Sequence, residues 1–103
     1  MATVLFIVKA TIPRKKEAAF NRWYNEEHVP QVLRFNGAVS GRRYKMILGE
    51  DKFEYMALYE FANEEVFRRF LESEHLKTLV RDYDAHFGGS SERQRAGYVQ
   101  IFP

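Results

Sequence analysis

Three histidines, His28, His75 and His86, are the side chains of this sequence whose ordinary titration lies near neutrality, and their settings differ. His28 follows Trp23-Tyr24 and stands two residues before Pro30. An imidazole held where a proline interrupts a helix can take or give a proton at pH 7, which makes His28 the candidate catalytic acid or base. The same ring could instead hydrogen-bond the backbone freed at that break. His86 lies beside Asp82 and Asp84, just ahead of Gly88-Gly89. A cation is favoured at a helix C-terminus on electrostatic grounds alone, so His86 is retained only as a candidate binding residue. His75, after Glu74, reads as solvated. No two histidines are four residues apart and no His-Glu-x-x-His run occurs, so no dedicated metal site is expected. The absence of cysteine excludes disulfides and thiolate nucleophiles. Gly88-Gly89-Ser90-Ser91 follows a helix instead of introducing one, the wrong end for holding a phosphate, and reads as a turn.

The second chemical signal is aromatic. Phenylalanine, tyrosine and tryptophan make up 16% of the chain. Each tyrosine hydroxyl needs a hydrogen-bond partner when buried, so Trp23, Tyr24, Tyr44, Tyr55 and Tyr59 are not all explained by apolar packing. Several of them together could cradle a planar aromatic ligand and bond its phenol or carbonyl; core and dimer-interface filling is the competing explanation. Tyr24 and Tyr44 are the candidate pocket residues, with Tyr59 behind them and Trp23 alongside. Arg42 and Arg43 point to opposite faces of one strand, so one of them, taken as Arg43, could meet a carboxylate.

These residues need elements to position them. Thr3 to Lys9 is a β-branched and aromatic run that reads as a strand buried on both faces. Pro13 suits the first turn of a helix that extends to Glu27. Phe20, Tyr24 and His28 recur every four residues and share one side of it, whereas Trp23 and Ala19, about 100° away, are expected to face the sheet. Pro30 predicts a break or kink near His28-Val29-Pro30, then a short turn through Leu33. Asn36-Gly37 marks a turn. Val39 to Leu48 and Phe53 to Phe61 read as strands joined by a Gly49-Glu50-Asp51 hairpin loop. Asn63 is an N-cap, followed by a Val66-Phe67-Phe70-Leu71 stripe and a second helical piece from Glu74 to Phe87. Gly97 to Phe102 reads as the last strand. The order is βαββαβ, without repeats or linker, which predicts a single domain over residues 1–103.

That topology puts both helices on one face of a four-stranded antiparallel sheet. The strands carry apolar groups on both faces, Val4, Phe6 and Val8 alternating with Leu5 and Ile7, and Tyr55, Ala57 and Tyr59 with Met56 and Leu58. An exposed apolar face of that size calls for cover, and a second copy related by a twofold axis is the simplest cover; a homodimer is expected. The formal charge is only +2, with acidic residues dispersed, so a nucleic-acid partner is not expected. The first apolar run is too short for a membrane span and lacks signal-peptide flanks, which leads to the expectation of a soluble, cytoplasmic protein.

The run Phe20-Asn21-Arg22-Trp23-Tyr24-Asn25-Glu26-Glu27-His28-Val29-Pro30, with Gly37 and Ser40-Gly41-Arg42-Arg43-Tyr44 after it, resembles the dimeric α/β-barrel superfamily. Within that superfamily it most resembles EthD-like proteins, whose first helix ends in a Tyr-Asp-x-x-His-x-Pro pattern. The resemblance implies a ferredoxin-like α+β fold that dimerises into an α/β barrel, and it singles out Tyr24, His28 and Pro30. Asn25 departs from the pattern, an amide where many relatives carry an acid that would orient the histidine better. One scaffold of this kind hosts cofactor-independent monooxygenases, polyketide cyclases, lactone isomerases, haem-degrading enzymes and small proteins of unknown role. The expectation drawn from residues and resemblance together is an enzyme that needs no cofactor and moves protons on a small, apolar, phenolic or polyketide-like molecule. His28 would be its acid or base, and tyrosine hydroxyls would steady negative charge. The alternative is a non-catalytic ligand-binding or stress-associated protein; haem binding through His28 or His86 ranks third.

Overall fold

Alternation of buried and half-buried residues along Val4–Ala10 makes this segment a strand with one face on the core. The computed structural model describes residues 2–103 and places β1 there. A 3₁₀ turn at Arg14–Lys16 and α1 (Glu17–Trp23) follow, then a single π turn at Tyr24–His28 and α2 (Val29–Val32). The remaining elements are β2 (Ala38–Lys45), β3 (Tyr55–Phe61), α3 (Glu64–Leu71), α4 (Glu74–Phe87) and β4 (Arg93–Val99). The sheet order is β2-β3-β1-β4, with every neighbouring pair antiparallel, which is the ferredoxin-like βαββαβ arrangement.

All helices lie on one face. Phe6, Val8, Ala57, Tyr59 and Phe61 of the sheet meet Phe20, Trp23, Val66, Phe70, Leu79, Tyr83 and Phe87. Asn63 accepts from the Val66 N–H at 2.9 Å and Ser73 from the Leu76 N–H at 3.1 Å, so α3 and α4 each start on a side-chain cap. Gly37 adopts φ +102°, and a Cβ there would lie 2.3 Å from Val66, so the Asn36-Gly37 turn admits only glycine. The opposite sheet face is uncovered by this chain: Leu5, Ile7, Met56, Leu58 and Ala96 are only half-buried on it, and Tyr44 and Tyr98 are exposed. Burial of β1 on both faces is therefore not met within one protomer. Among the described residues no helix is long and apolar enough to cross a membrane.

Four expectations are corrected. Pro30 does not break the helix; His28 and Val29 keep helical dihedrals, because the π turn shifts the hydrogen bonding so that the Val29 N–H donates to the Tyr24 carbonyl and Pro30 starts a fresh turn. Ala19 does not face the sheet but is exposed, and Trp23, Tyr24 and Phe20 are all buried. The strands flanking the hairpin stop earlier and start later than their apolar runs, with Ile47 and Leu48 in solvent. The last strand is Arg93–Val99 and not Gly97 to Phe102, because pairing with β1 draws the polar Arg93-Gln94-Arg95 run into the sheet.

Candidate active site

The π turn decides where His28 points. In an α-helix, residues five apart lie well off one another's axis; an extra residue in the turn brings them onto the same side. The imidazole accordingly stacks on Trp23, with ring centroids 4.7 Å apart and planes 21° from parallel. Tyr24 meets it edge-on at 5.0 Å and Tyr83 of α4 at 6.1 Å. His28 is 6% exposed, and its Nδ1 has no hydrogen-bond partner among the described residues. The hydroxyl of Tyr59, on the sheet beneath and 2% exposed, is equally unpartnered, as is Trp23 Nε1. Orphaned buried polar atoms of this kind are rare, because each costs free energy unless something satisfies it.

His28 and Tyr59 line one cavity of about 20 Å³ between α2, α4 and the sheet. Phe6, Val8 and Leu79 supply its apolar wall, and Arg93 and Arg95 of β4 complete it. Register explains the arginines: Arg93 pairs with Ala10 and Arg95 with Val8, so both side chains project to the helix-covered face. Burial, and then the positive charges of Arg93 and Arg43, hold the His28 imidazole down at about 4, so it is neutral at pH 7 and a weaker base than a free imidazole. Burial pushes the Tyr59 and Tyr24 phenols far up, which keeps both protonated. Burial, and then the neighbouring Arg93, lower Arg95.

Arg43 occupies a different place. Its guanidinium lies 4.5 Å from the Tyr24 ring centre and donates to Asn21 Oδ1 at 2.9 Å and Asn25 Oδ1 at 3.0 Å. Asn25 thus holds Arg43, and not His28. An open groove of about 690 Å³ runs past Arg43, Asn25, Glu17, Lys45 and Tyr55. Although larger, that groove contains groups that satisfy one another, with Tyr55 bonded to Glu17 and Lys45 at 3.6 Å from the same carboxylate.

Of the sequence candidates, the fold gathers His28, Tyr59, Trp23 and Tyr24 around one another. Tyr44 pairs with Met56 on the uncovered sheet face and is not brought to His28, since it alternates with Arg43 along β2. His86 is exposed; its Nδ1 lies 2.8 Å from the Asp82 carbonyl, and its ring centre lies 5.0 Å from that of Trp23. His75 is not solvated as expected: it is half-buried, bonds the Gln31 carbonyl through Nε2 at 2.7 Å, and so ties α4 to α2. Arg93 and Arg95 escaped sequence reasoning because an isolated Arg-Gln-Arg run reads as loop; the usable signal was their two-residue spacing.

A four-stranded ferredoxin-like domain with an arginine- and tyrosine-walled cavity between α2, α4 and the sheet is the class of protein that these features define. The chain belongs to the DUF4286 family, a domain of unknown function, whose pattern matches residues 3–96 and so includes the cavity. No curated protein matches it. Among solved structures it is similar to an EthD-family protein of Bacillus halodurans, at 17% identity and TM-score 0.67 over 93% of this chain and 97% of that one. It is similar also to a DABB-family protein with a ferredoxin-like fold from Mesorhizobium loti, at 12% identity and TM-score 0.77 over 99% and 100%. A third is SnoaB of Streptomyces nogalater, a cofactor-independent oxygenase, at 16% identity and TM-score 0.66 over 100% and 97%. At these identities the likeness carries the fold, the same one that the sequence resemblance implies.

Proposed function

We propose that the protein is a cofactor-independent enzyme that moves protons on a small, apolar, oxygenated molecule of phenolic or polyketide-like type. One observation carries this reading: two deeply buried polar atoms without partners, His28 Nδ1 and the Tyr59 hydroxyl, belong to the wall of one cavity with two arginines. The neutral imidazole takes a proton from an acidified C–H or O–H of the substrate. The electron pair stays behind as an enolate or phenolate, which the Tyr59 O–H and the guanidiniums of Arg93 and Arg95 stabilise. Return of the proton from His28 to a different atom completes an isomerisation. With dioxygen as co-substrate, a CH₂ group becomes a carbonyl, one oxygen atom entering the substrate and the other leaving in water. Trp23 and Tyr24 position the imidazole and keep water from it. The fold shared with SnoaB supports an activity of this kind.

The test is turnover of a panel of hydroxylated aromatics and β-polyketones, followed by absorbance under air and under nitrogen. Loss of turnover in His28→Gln with unfolding at pH 7 nearly unchanged is expected; full turnover in that variant removes His28 as the base. The cavity volume favours one competing reading, a ligand-binding protein without catalysis, because about 20 Å³ holds little more than one water until its wall moves. Saturable binding of panel members without any turnover would establish that reading instead. The half-buried Leu5, Ile7, Met56 and Leu58 on the uncovered sheet face further support a homodimer that closes this face.

A further inference from the structure

We propose that the cavity beside β4 binds the carboxylate of a small organic acid, with Arg93 and Arg95 as its counter-ions and the Tyr59 hydroxyl as a neutral donor. The proposal deepens the reading given above, since it names the substrate class of the same cavity, but binding can be tested apart from turnover. Its first support is charge. Arg93 and Arg95 stand two residues apart on an edge strand, and both line the same wall. Arg93 lies flat over Tyr83, 3.7 Å from its ring centre, with only 15% of its side chain exposed. Its one acidic neighbour, Asp84, approaches to 3.7 Å from the solvent side and is itself 61% exposed. Arg95 forms no ion pair among the described residues. Two guanidiniums on one wall, Arg93 half-buried and Arg95 exposed, with one loosely held carboxylate beside Arg93, leave positive charge that an entering anion relieves.

The second support is the donor set. A carboxylate has two oxygens that accept several hydrogen bonds and donate none. Arginine N–H groups, a tyrosine that burial keeps protonated, and the N–H of a neutral imidazole are all donors. His28 and Tyr59 are each more than nine-tenths buried and lack partners, so the same ligand satisfies the orphaned atoms and the excess charge together. An amide of the same shape presents an NH₂ to these donors and is rejected. Phe6, Val8 and Leu79, which line the same cavity as the charges, select an organic acid over an inorganic anion. A carboxylate has three heavy atoms and exceeds the space of one water, so the acid enters only as Leu76 and Val80, half-buried parts of the wall, move aside.

Trp23 is the sole tryptophan and stacks on His28, so its fluorescence reports on the cavity directly. The full chain is titrated with acetate, benzoate and phenylacetate, each against its amide, at constant ionic strength. Saturable quenching or enhancement by at least one acid and by none of the amides is expected. Arg95→Met should weaken that acid by about tenfold or more, and Arg95→Lys should recover part of the loss. Thermal unfolding confirms that each variant is folded, and Arg93→Gln supplies the same comparison if one is not. Equal binding of amides, or no binding of any acid at tens of millimolar, overturns the proposal. Acids bound without turnover on the phenolic and polyketone panel uphold it while removing the enzyme reading; turnover of neutral compounds with no acid bound does the reverse.

Discussion

Replacing Tyr59 by phenylalanine removes one oxygen atom from the centre of the domain and leaves the ring that packs 6.3 Å from Phe6. The hydroxyl is buried and has no partner among the described residues, so folding strips it of bulk water and no protein group returns a hydrogen bond. Such a group costs about 1–3 kcal/mol. Against this, the cavity grows by the volume of one oxygen, which at about 24 cal/mol per Å³ costs a few tenths of a kcal/mol. Tyr59→Phe should therefore stabilise the protein by roughly 1–2 kcal/mol, and raise the unfolding temperature by about 4–8 °C for each kcal/mol. Thermal and urea unfolding, at one fixed protein concentration to hold any dimer equilibrium constant, measure it. The same variant should lose affinity for organic acids, since a donor is gone. Gain of stability with loss of binding is the signature of a group held in readiness for a ligand. If Tyr59→Phe is destabilised by about 1 kcal/mol or more, the hydroxyl has a partner in the folded protein, and the main observation behind the cavity falls.

Because His28 is held at about 4 in the folded protein against 6.5 when free, the unfolded chain binds more protons between those values. The stability due to neutral His28 is complete above about pH 6.5 and is lost as the pH falls toward 4, by about 3 kcal/mol. Arg93, Arg95 and Arg43 are the charges that face it, with Tyr59, Tyr24 and Tyr83; the lowered Glu17 and Asp51 carboxyls, common to wild type and variant, add their own acid limb. Denaturant unfolding from pH 4 to 7 should thus be less steep in His28→Gln than in wild type, and parallel curves would refute a neutral buried imidazole. Gly37→Ala should destabilise by about 2–4 kcal/mol, from its positive φ and the overlap with Val66, as read by urea unfolding. Sedimentation should give a mass near twice 12.2 kDa, shifting to the monomer in Leu58→Glu; a stable wild-type monomer at micromolar concentration would refute closure of the sheet face by a second copy.

Much of the fold was legible because local signals agreed with it. Period-two alternation in β1 and β3, the Asn63 cap, the end of α4 at Phe87 and the Asn36-Gly37 turn each act within a few residues, and each recurs in the structure. The candidate site was half legible. His28, Trp23, Tyr24 and Tyr59 announced themselves by type, since imidazole and indole or phenol groups amid apolar runs need a reason to be there. Their arrangement was not legible, because it depends on where the helix carries one extra residue. The π turn, and not a proline break, stacks His28 on Trp23, and nothing in the local sequence distinguishes the two ways of accommodating Pro30.

The amino-acid sequence by itself determined the order of elements, the helix starts and the residue types available for proton transfer, because those follow from side-chain periodicity and short-range hydrogen bonds. Tertiary structure alone decided that Arg93-Gln94-Arg95 is a strand. Those residues have little strand character of their own; antiparallel pairing with β1 satisfies their backbone groups and turns both arginines to the helix-covered face of the sheet. It also decided that Tyr44 faces away from His28 while Tyr59 lies under it, a matter of strand register that shifts each side chain to one face or the other. Long-range pairing sets that register, and so the charge of the cavity is a property of the folded sheet and not of any stretch of the chain.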